Sequence, residues 1–417
     1  MTGNEKSFYG LGIAPGILDI LAKKGFKIPT PIQEQAIPIA VQGKDVMGIA
    51  QTGTGKTLAF GIPLVQRISQ GNGFGLIVVP TRELALQVNE AIEKIATPLG
   101  VRTATLIGGE PIFHQLRRLS RKPQVLIGTP GRIIDHLEQK TITLGKVTVL
   151  VLDEADRMLD MGFAPQLRRI LAVIPTERQT MLFSATMPED IVTIARKCMK
   201  LPVRVEIARS GTAAKNVSQE VFFVSQEAKR QLLAKILYEY NGSVLVFAKM
   251  KFGVKRIAAH IRALGHAAAE IHSNRSLNQR REALDGFKTG KYRVLVATDI
   301  AARGIDVSNI ELVVNYDLPD NAEDYVHRIG RTGRAGGSGH AISFARPNER
   351  GDVSAIERLI RATLPVSKLP NLPPPIKTPE PEPDMARPSR GGFDRARGHL
   401  RGRKPGYGTG RRSSRSF

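Results

Sequence analysis

Asp45-Val-Met-Gly-Ile-Ala50 runs directly into Gln51-Thr-Gly-Thr-Gly-Lys-Thr57 and then into Leu58-Ala59-Phe60. The first run reads as a buried strand, the second as a glycine-rich turn, and the apolar triplet as the start of a helix. Glycines let backbone N–H groups close around phosphate oxygens, and the helix N-terminus adds the positive end of its dipole. Thr52, Gly53, Thr54 and Gly55 are the expected cradle. Lys56 is placed to reach the β- and γ-phosphates of a nucleotide, and Thr57 to hold Mg²⁺. The general phosphate-loop pattern opens with Gly; Ala50 stands there in this chain. A glycine-rich surface turn is the plainer interpretation, but it does not call for Lys-Thr in register between strand and helix.

The same grammar, a short β-branched run followed by polar residues, recurs along the chain. In the first half the runs are Asp45–Ala50, Leu76–Pro80, Val125–Thr129, Val147–Leu152 and Thr180–Ser184. In the second half they are Val221–Val224, Val244–Phe247, Ala267–Ile271, Val294–Ala297, Leu312–Val314 and Ala341–Phe344. Each is nearly continuous in its apolar character, as parallel strands covered on both faces are. Amphipathic stretches such as Glu83–Ile95 and Lys229–Tyr240 supply the crossovers. This predicts an α/β fold built twice, with parallel sheets. The break falls in the small, polar stretch Ala208–Asn216. The expected segments are a first domain 1–209, a linker 210–217, a second domain 218–365, a proline-rich linker 366–385 and a disordered basic tail 386–417.

Lys and Arg number 61 against 38 Asp and Glu, a formal charge of +23 over 417 residues. That balance points to a polyanionic partner. The last 32 residues hold ten Lys/Arg and one acid, among Gly, Ser, Phe393, Tyr407 and Phe417. Such a composition cannot bury enough apolar surface to order itself. Its +9 and the −1 of residues 366–385 leave +15 on residues 1–365, so the basic character belongs to the folded part too. No apolar run reaches the length of about 20 that spans a bilayer. Cys198 is the sole cysteine, which excludes an internal disulfide and a cysteine zinc site. A cytoplasmic protein without a membrane partner is the expectation.

Ligand sites in open α/β sheets lie beyond the carboxyl ends of strands. After Val147–Leu152 comes Asp153-Glu-Ala-Asp156. Alone, such an acidic stretch reads as a helix N-terminus. Beside a phosphate loop, Asp153 is placed to bind Mg²⁺ and Glu154 to orient or deprotonate an attacking water.

Asp153–Asp156 together with Ala50–Thr57 resembles the DEAD-box ATP-dependent RNA helicases, and the resemblance extends over about residues 8–345. Phe8, Gly25-Phe26 and Pro29-Thr-Pro-Ile-Gln33 resemble that family's adenine-reading motif. Pro80-Thr-Arg-Glu-Leu84, Gly108-Gly109 and Thr129-Pro-Gly-Arg132 resemble its first-domain RNA motifs, and Ser184-Ala-Thr186 its coupling motif. Val296-Ala-Thr-Asp299, Ala301–Asp306 and Tyr325-Val-His-Arg-Ile-Gly-Arg-Thr-Gly-Arg334 match in the second half. Spacing and the Arg/Gly tail look most like the bacterial RhlE-type subgroup.

The resemblance implies two tandem RecA-like domains, ATP with Mg²⁺, and single strands and short duplexes of RNA as partners. Phe8 and Phe26 would lie at the base, and Gln33 would make paired amide hydrogen bonds to adenine. Pro80, Thr81, Arg82, Gly109, Thr129, Pro130, Gly131 and Arg132 would meet RNA from the first domain, and Arg280 and Thr298 from the second, where Asp299 would make an interdomain or RNA contact. Arg331 and Arg334 would act as arginine fingers. His327 would join Asp156, Ser184 and Thr186 in an interdomain network, and Asp306 would accept a ribose hydroxyl. Ribosome-assembly or RNA-decay proteins are candidate partners of a monomeric core. Leu277 stands where the family commonly has Gln, and Ser273 where Gly is common; Gln279 is a conceivable substitute. Two other readings fit the charge: an RNA-binding or annealing protein that kept the fold without catalysis, and a DNA-directed helicase.

Overall fold

A computed structural model describes residues 7–50, 53–71, 73–207, 217–299, 310–333 and 338–375. Thr52, Asp306, Arg334 and the tail lie outside these residues.

In the first lobe, β1 (Val46–Ile49), β2 (Phe74–Val78), β3 (Thr103–Leu106), β4 (Val125–Gly128), β5 (Val147–Asp153), β6 (Gln179–Ser184) and β7 (Val203–Glu206) form one sheet. Its spatial order is β3-β4-β2-β5-β6-β1-β7, with every pairing parallel. Two apolar clusters cover its faces, one around Phe60, Ile77 and Phe183 and one around Leu76, Leu150 and Met158. The central strands are buried along nearly their whole length, so their apolar runs are unbroken. Phe60 meets Phe183 with ring centroids 5.5 Å apart.

The second lobe repeats the plan with β8 (Val217–Phe223), β9 (Val244–Phe247), β10 (Ala268–Ile271), β11 (Val294–Ala297), β12 (Leu312–Asn315) and β13 (Gly339–Ala345). The order is β10-β11-β9-β12-β13-β8, again all parallel. β8 begins at Val217, one residue inside the stretch expected to be linker.

Two expectations change. Strands β3 and β7 join the predicted set at opposite edges of the first sheet. The proline-rich stretch does not begin as a free linker, because its first residues run along the second lobe. Val366 bridges Val221, Ser367 N donates to Val221 O at 3.0 Å, and Gln231 Nε2 donates to Pro373 O at 2.7 Å. Leu372 packs against the cluster on that side of the sheet.

Strand order sorts the first lobe's chemistry. β5, β6 and β1 are neighbours, and their carboxyl ends carry Asp153, Ser184 and the phosphate loop. β3, β4 and β2 are neighbours too, and theirs carry Gly109, Thr129–Arg132 and Thr81–Arg82. One sheet thus presents a nucleotide half and a second, arginine-bearing half.

Candidate ATP and RNA site

The phosphate loop turns on Gly53 (φ +87°) and Gly55 (φ +93°), a region where a Cβ is strained. At Gly55 a Cβ would also fall 2.5 Å from Gln33 Nε2 and 2.7 Å from Thr30 Oγ1. Helix Lys56–Ser69 starts immediately after. Lys56 is buried, and its Nζ donates to Ala50 O at 3.0 Å across the loop.

Gln33 is built into this loop. Its Nε2 donates to Gly55 O at 2.9 Å, and its Oε1 accepts from Thr30 N at 2.9 Å. One N–H and one lone pair remain on the carboxamide, the number that adenine would need. Phe8 is 4% exposed within the first lobe's core, whereas Phe26 is 39% exposed. Phe8 thus packs into the first lobe's core, and Phe26 is the more exposed of the two rings.

Asp153 ends β5, and its Oδ1 accepts from Glu154 N at 3.0 Å. Burial first, with the like charges of Glu154 and Asp156 adding and Lys56 opposing, pushes its carboxyl up to about 6. Glu154 has φ 52° and ψ 51°, left-handed for a side-chain-bearing residue. Such backbones carry on the order of 1–3 kcal/mol of strain and persist where the surroundings fix them. The turn aims a buried carboxylate, and Arg157 Nη1 donates to Glu154 Oε2 at 3.0 Å. Burial alone would raise the Glu154 pKa. Arg157, Lys56 and Arg331 outweigh burial and hold it below the ordinary value, so the group is a carboxylate at neutral pH.

Asp156 joins β5 to β6. Its Oδ2 accepts from Ala185 N at 3.0 Å, Thr186 N at 2.8 Å and Thr186 Oγ1 at 3.0 Å. Its own N–H donates to Ser184 Oγ at 3.2 Å. From the second lobe, His327 faces this network across a small cavity of about 30 Å³ lined by Asp156, Arg157, Asp160, Thr186, Asn321 and Asp324. Burial and the Arg157 charge lower the pKa of His327, so it is a neutral imidazole at this seam. Helix Ala322–Ile329 carries it, and the turn that follows places buried Arg331 where its charge acts on Glu154.

On the sheet's other half, Arg82 lies over Gly108 and Gly109, and a Cβ at Gly109 (φ +75°) would collide with its guanidinium. Burial first, then Arg280, and further Arg132, lower the pKa of Arg82. Three arginines from both lobes thus converge, a place that favours an anion. Glu83 offsets part of that charge and pairs with Arg280 at 2.9 Å across the lobes. Gly131 has open space where a Cβ would stand, and Pro130 and Thr129 set the start of its helix.

Three side chains are engaged within their own lobes. Thr81 Oγ1 caps its own helix, accepting from Leu84 N at 3.2 Å, and is buried. Asp299 binds Arg328 with both oxygens, at 2.5 Å from Nε and 2.6 Å from Nη2, which braces the second lobe. Gln279 caps its helix with Ser276, its Oε1 accepting from Ser276 N at 3.0 Å. Pro80 and Thr298 lie at the ends of β2 and β11 as expected, and Thr298 N donates to Ile271 O at 3.3 Å. Leu277 is buried and joins the first lobe's apolar cluster, so the departure from Gln makes an apolar contact between lobes.

Arg157 and Arg328 were given no role by the sequence. Each adjoins a motif residue, Asp156 and His327, and that adjacency was the available signal. Arg328 is 2% exposed, bonds Asn315 Oδ1 and Asp317 O, and lies over the Phe247 ring at 5.1 Å.

Comparison with known proteins agrees with this geometry. Residues 30–194 match the DEAD/DEAH box helicase family, and residues 228–336 match the helicase conserved C-terminal domain. The chain is 42% identical over 370 residues to an ATP-dependent rRNA helicase RRP3 of Debaryomyces hansenii, covering 88% of this chain and 78% of that protein. It is 43% identical over 369 residues to a DEAD-box ATP-dependent RNA helicase CshA of Geobacillus kaustophilus, covering 88% and 79%. Its structure is similar to S. cerevisiae Dbp5 bound to RNA and ADP BeF3, with a TM-score of 0.78 at 30% identity, covering 87% of this chain and 95% of the other.

Proposed function

This chain belongs to the DEAD-box ATP-dependent RNA helicases, and from that premise we propose that lobe closure is its switch, assembling an ATPase from parts that neither lobe holds alone. The observation that carries this is the placement of Arg331 and His327, from the second lobe, against Glu154 and Asp156 of the first. Glu154 orients and deprotonates the attacking water. Lys56 and Arg331 stabilise charge on the phosphoryl group in flight. RNA bridging Arg82, Arg132 and Arg280 favours the closed arrangement, so ATP turnover follows RNA binding. A closing step that bends one strand separates a short duplex, since each stacked step is worth about 1.4 kcal/mol.

ATPase activity should therefore be low without RNA and rise with it in the full chain. Residues 1–209 alone should show no RNA stimulation. Equal rates with and without RNA in the full chain would contradict the closure reading. DNA in place of RNA separates the DNA-directed alternative, and any turnover at all disposes of the non-catalytic one.

Mg²⁺ fits Asp153 and Thr57. Burial and like charge destabilise the Asp153 carboxylate, and a hard divalent cation held with nucleotide phosphates would compensate that. When bound, the ion would supply positive charge against that of the nucleotide phosphates. Protons compete with it. As pH falls through about 6 the Asp153 carboxyl protonates, and the Mg²⁺ concentration for half-maximal ATPase should rise. A midpoint unchanged between neutral and acidic buffers would remove Asp153 from the metal.

The tail's ten cations suit an RNA tether. A relative named as an rRNA helicase favours ribosome assembly over decay among candidate pathways. The RhlE-type placement rests on spacing and the Arg/Gly tail; the relatives compared carry the names RRP3 and CshA. A monomeric core in the cytoplasm completes the reading, and among the described residues no helix is long and apolar enough to cross a membrane.

A further inference from the structure

Beside the three-arginine cluster, a groove of about 630 Å³ opens between the lobes. The first lobe contributes Gly109 through Pro111 and the face of helix Ile112–Leu119, continued to Arg121; the second contributes Ser276 through Asn278 and Arg281. Its charges are Arg117, Arg118, Arg121 and Arg281 against one acid, Glu110. Glu110 is engaged already, since its Oε1 accepts from Arg118 Nη1 at 2.9 Å. The other three guanidiniums are exposed, and among the described residues none of them has a side-chain partner.

Guanidiniums gathered without acids to pair them make a field that concentrates anions, and a cleft sharpens that field. The groove is continuous with the arginine cluster. Gly109, over which Arg82 lies, lines it, and Arg132 Nη2 donates to the backbone of Glu110 at 3.3 Å. Planar forked donors suit phosphate oxygens.

We infer that this groove is a second RNA-phosphate site, holding the strand beyond the Arg82, Arg132 and Arg280 cluster, and that it is complete only when the lobes close. The inference rests on the helicase reading above and extends it: closure would lengthen the stretch of RNA gripped, and part of the energy of binding a longer strand would favour the closed state.

The test uses the full chain and two single-stranded homopolymer RNAs, one just long enough for the arginine cluster and one several times longer. Arg117→Ala/Arg121→Ala/Arg281→Ala should flatten the logarithmic salt dependence for the long RNA by about 2, from three contacts of about 0.7 each. The short RNA should keep its slope and its saturating ATPase rate, which also shows that the variant folds. Arg281→Ala alone should weaken long-RNA binding with a non-hydrolysable ATP analogue and leave it unchanged without nucleotide. An unaltered long-RNA slope, or an equal loss with and without nucleotide, would overturn the groove. Failure of the wild-type chain to bind short RNA would instead strike at the helicase reading itself.

Discussion

Replacing Glu154 by Gln is expected to slow ATP hydrolysis on the order of 10²–10⁴-fold while ATP and RNA still bind. The amide retains an oxygen for Arg157, which donates to Glu154 Oε2 from 3.0 Å, but it cannot take a proton from water. Glu154→Ala is a poorer probe. It leaves a buried guanidinium without its partner, and breaking such a buried pair costs about 3–5 kcal/mol. With Gln the closed complex should accumulate, seen as slow RNA release in ATP. Hydrolysis at the wild-type rate would mean that another group activates the water.

Arg331→Ala should lower kcat on the order of 10³–10⁵-fold, the range over which an arginine finger acts. Nucleotide binding to the first lobe should change little, because Lys56 and the loop glycines are untouched. A second signature separates this role from a structural one. Arg331 is one of three cations that hold the Glu154 pKa down, alongside Arg157 and Lys56. Without it the Glu154 pKa rises, so the acid limb of any residual activity moves to higher pH. Arg331→Lys should restore the limb more than the rate, since an ammonium supplies charge but not the fork. A variant with normal kcat and an unmoved limb would exclude Arg331 from the site.

Strands covered on both faces were legible because burial forces their sequences to be continuously apolar. The two that were not, Thr103–Leu106 and Val203–Glu206, lie at the sheet's edges, where one side meets solvent. Val-Arg-Val-Glu alternates instead of running, and a search for unbroken runs passes over it. The nucleotide residues were legible because loop, strand end and acid come as contiguous motifs. What stayed hidden was which polar groups the protein uses internally. Thr81 and Asp299 sit in motifs that point outward, yet one is held by its own helix and the other by Arg328, 29 residues away. Phe8 gives no local sign that its ring is enclosed by a core assembled from distant segments.

Leu277 gives closure a thermal character. The contact that joins the lobes beside Arg280 and Glu83 is apolar where a relative with Gln would have a polar one. Burying apolar surface lowers heat capacity, and the gain from doing so fades on cooling. The ion pair beside it is nearly buried, its side chains 10% and 8% exposed, so salt screens it far less than a surface pair. Its desolvation cost also falls on warming, so both neighbours hold better warm than cold. Cold would loosen the seam at Leu277, while brine would leave it nearly as tight.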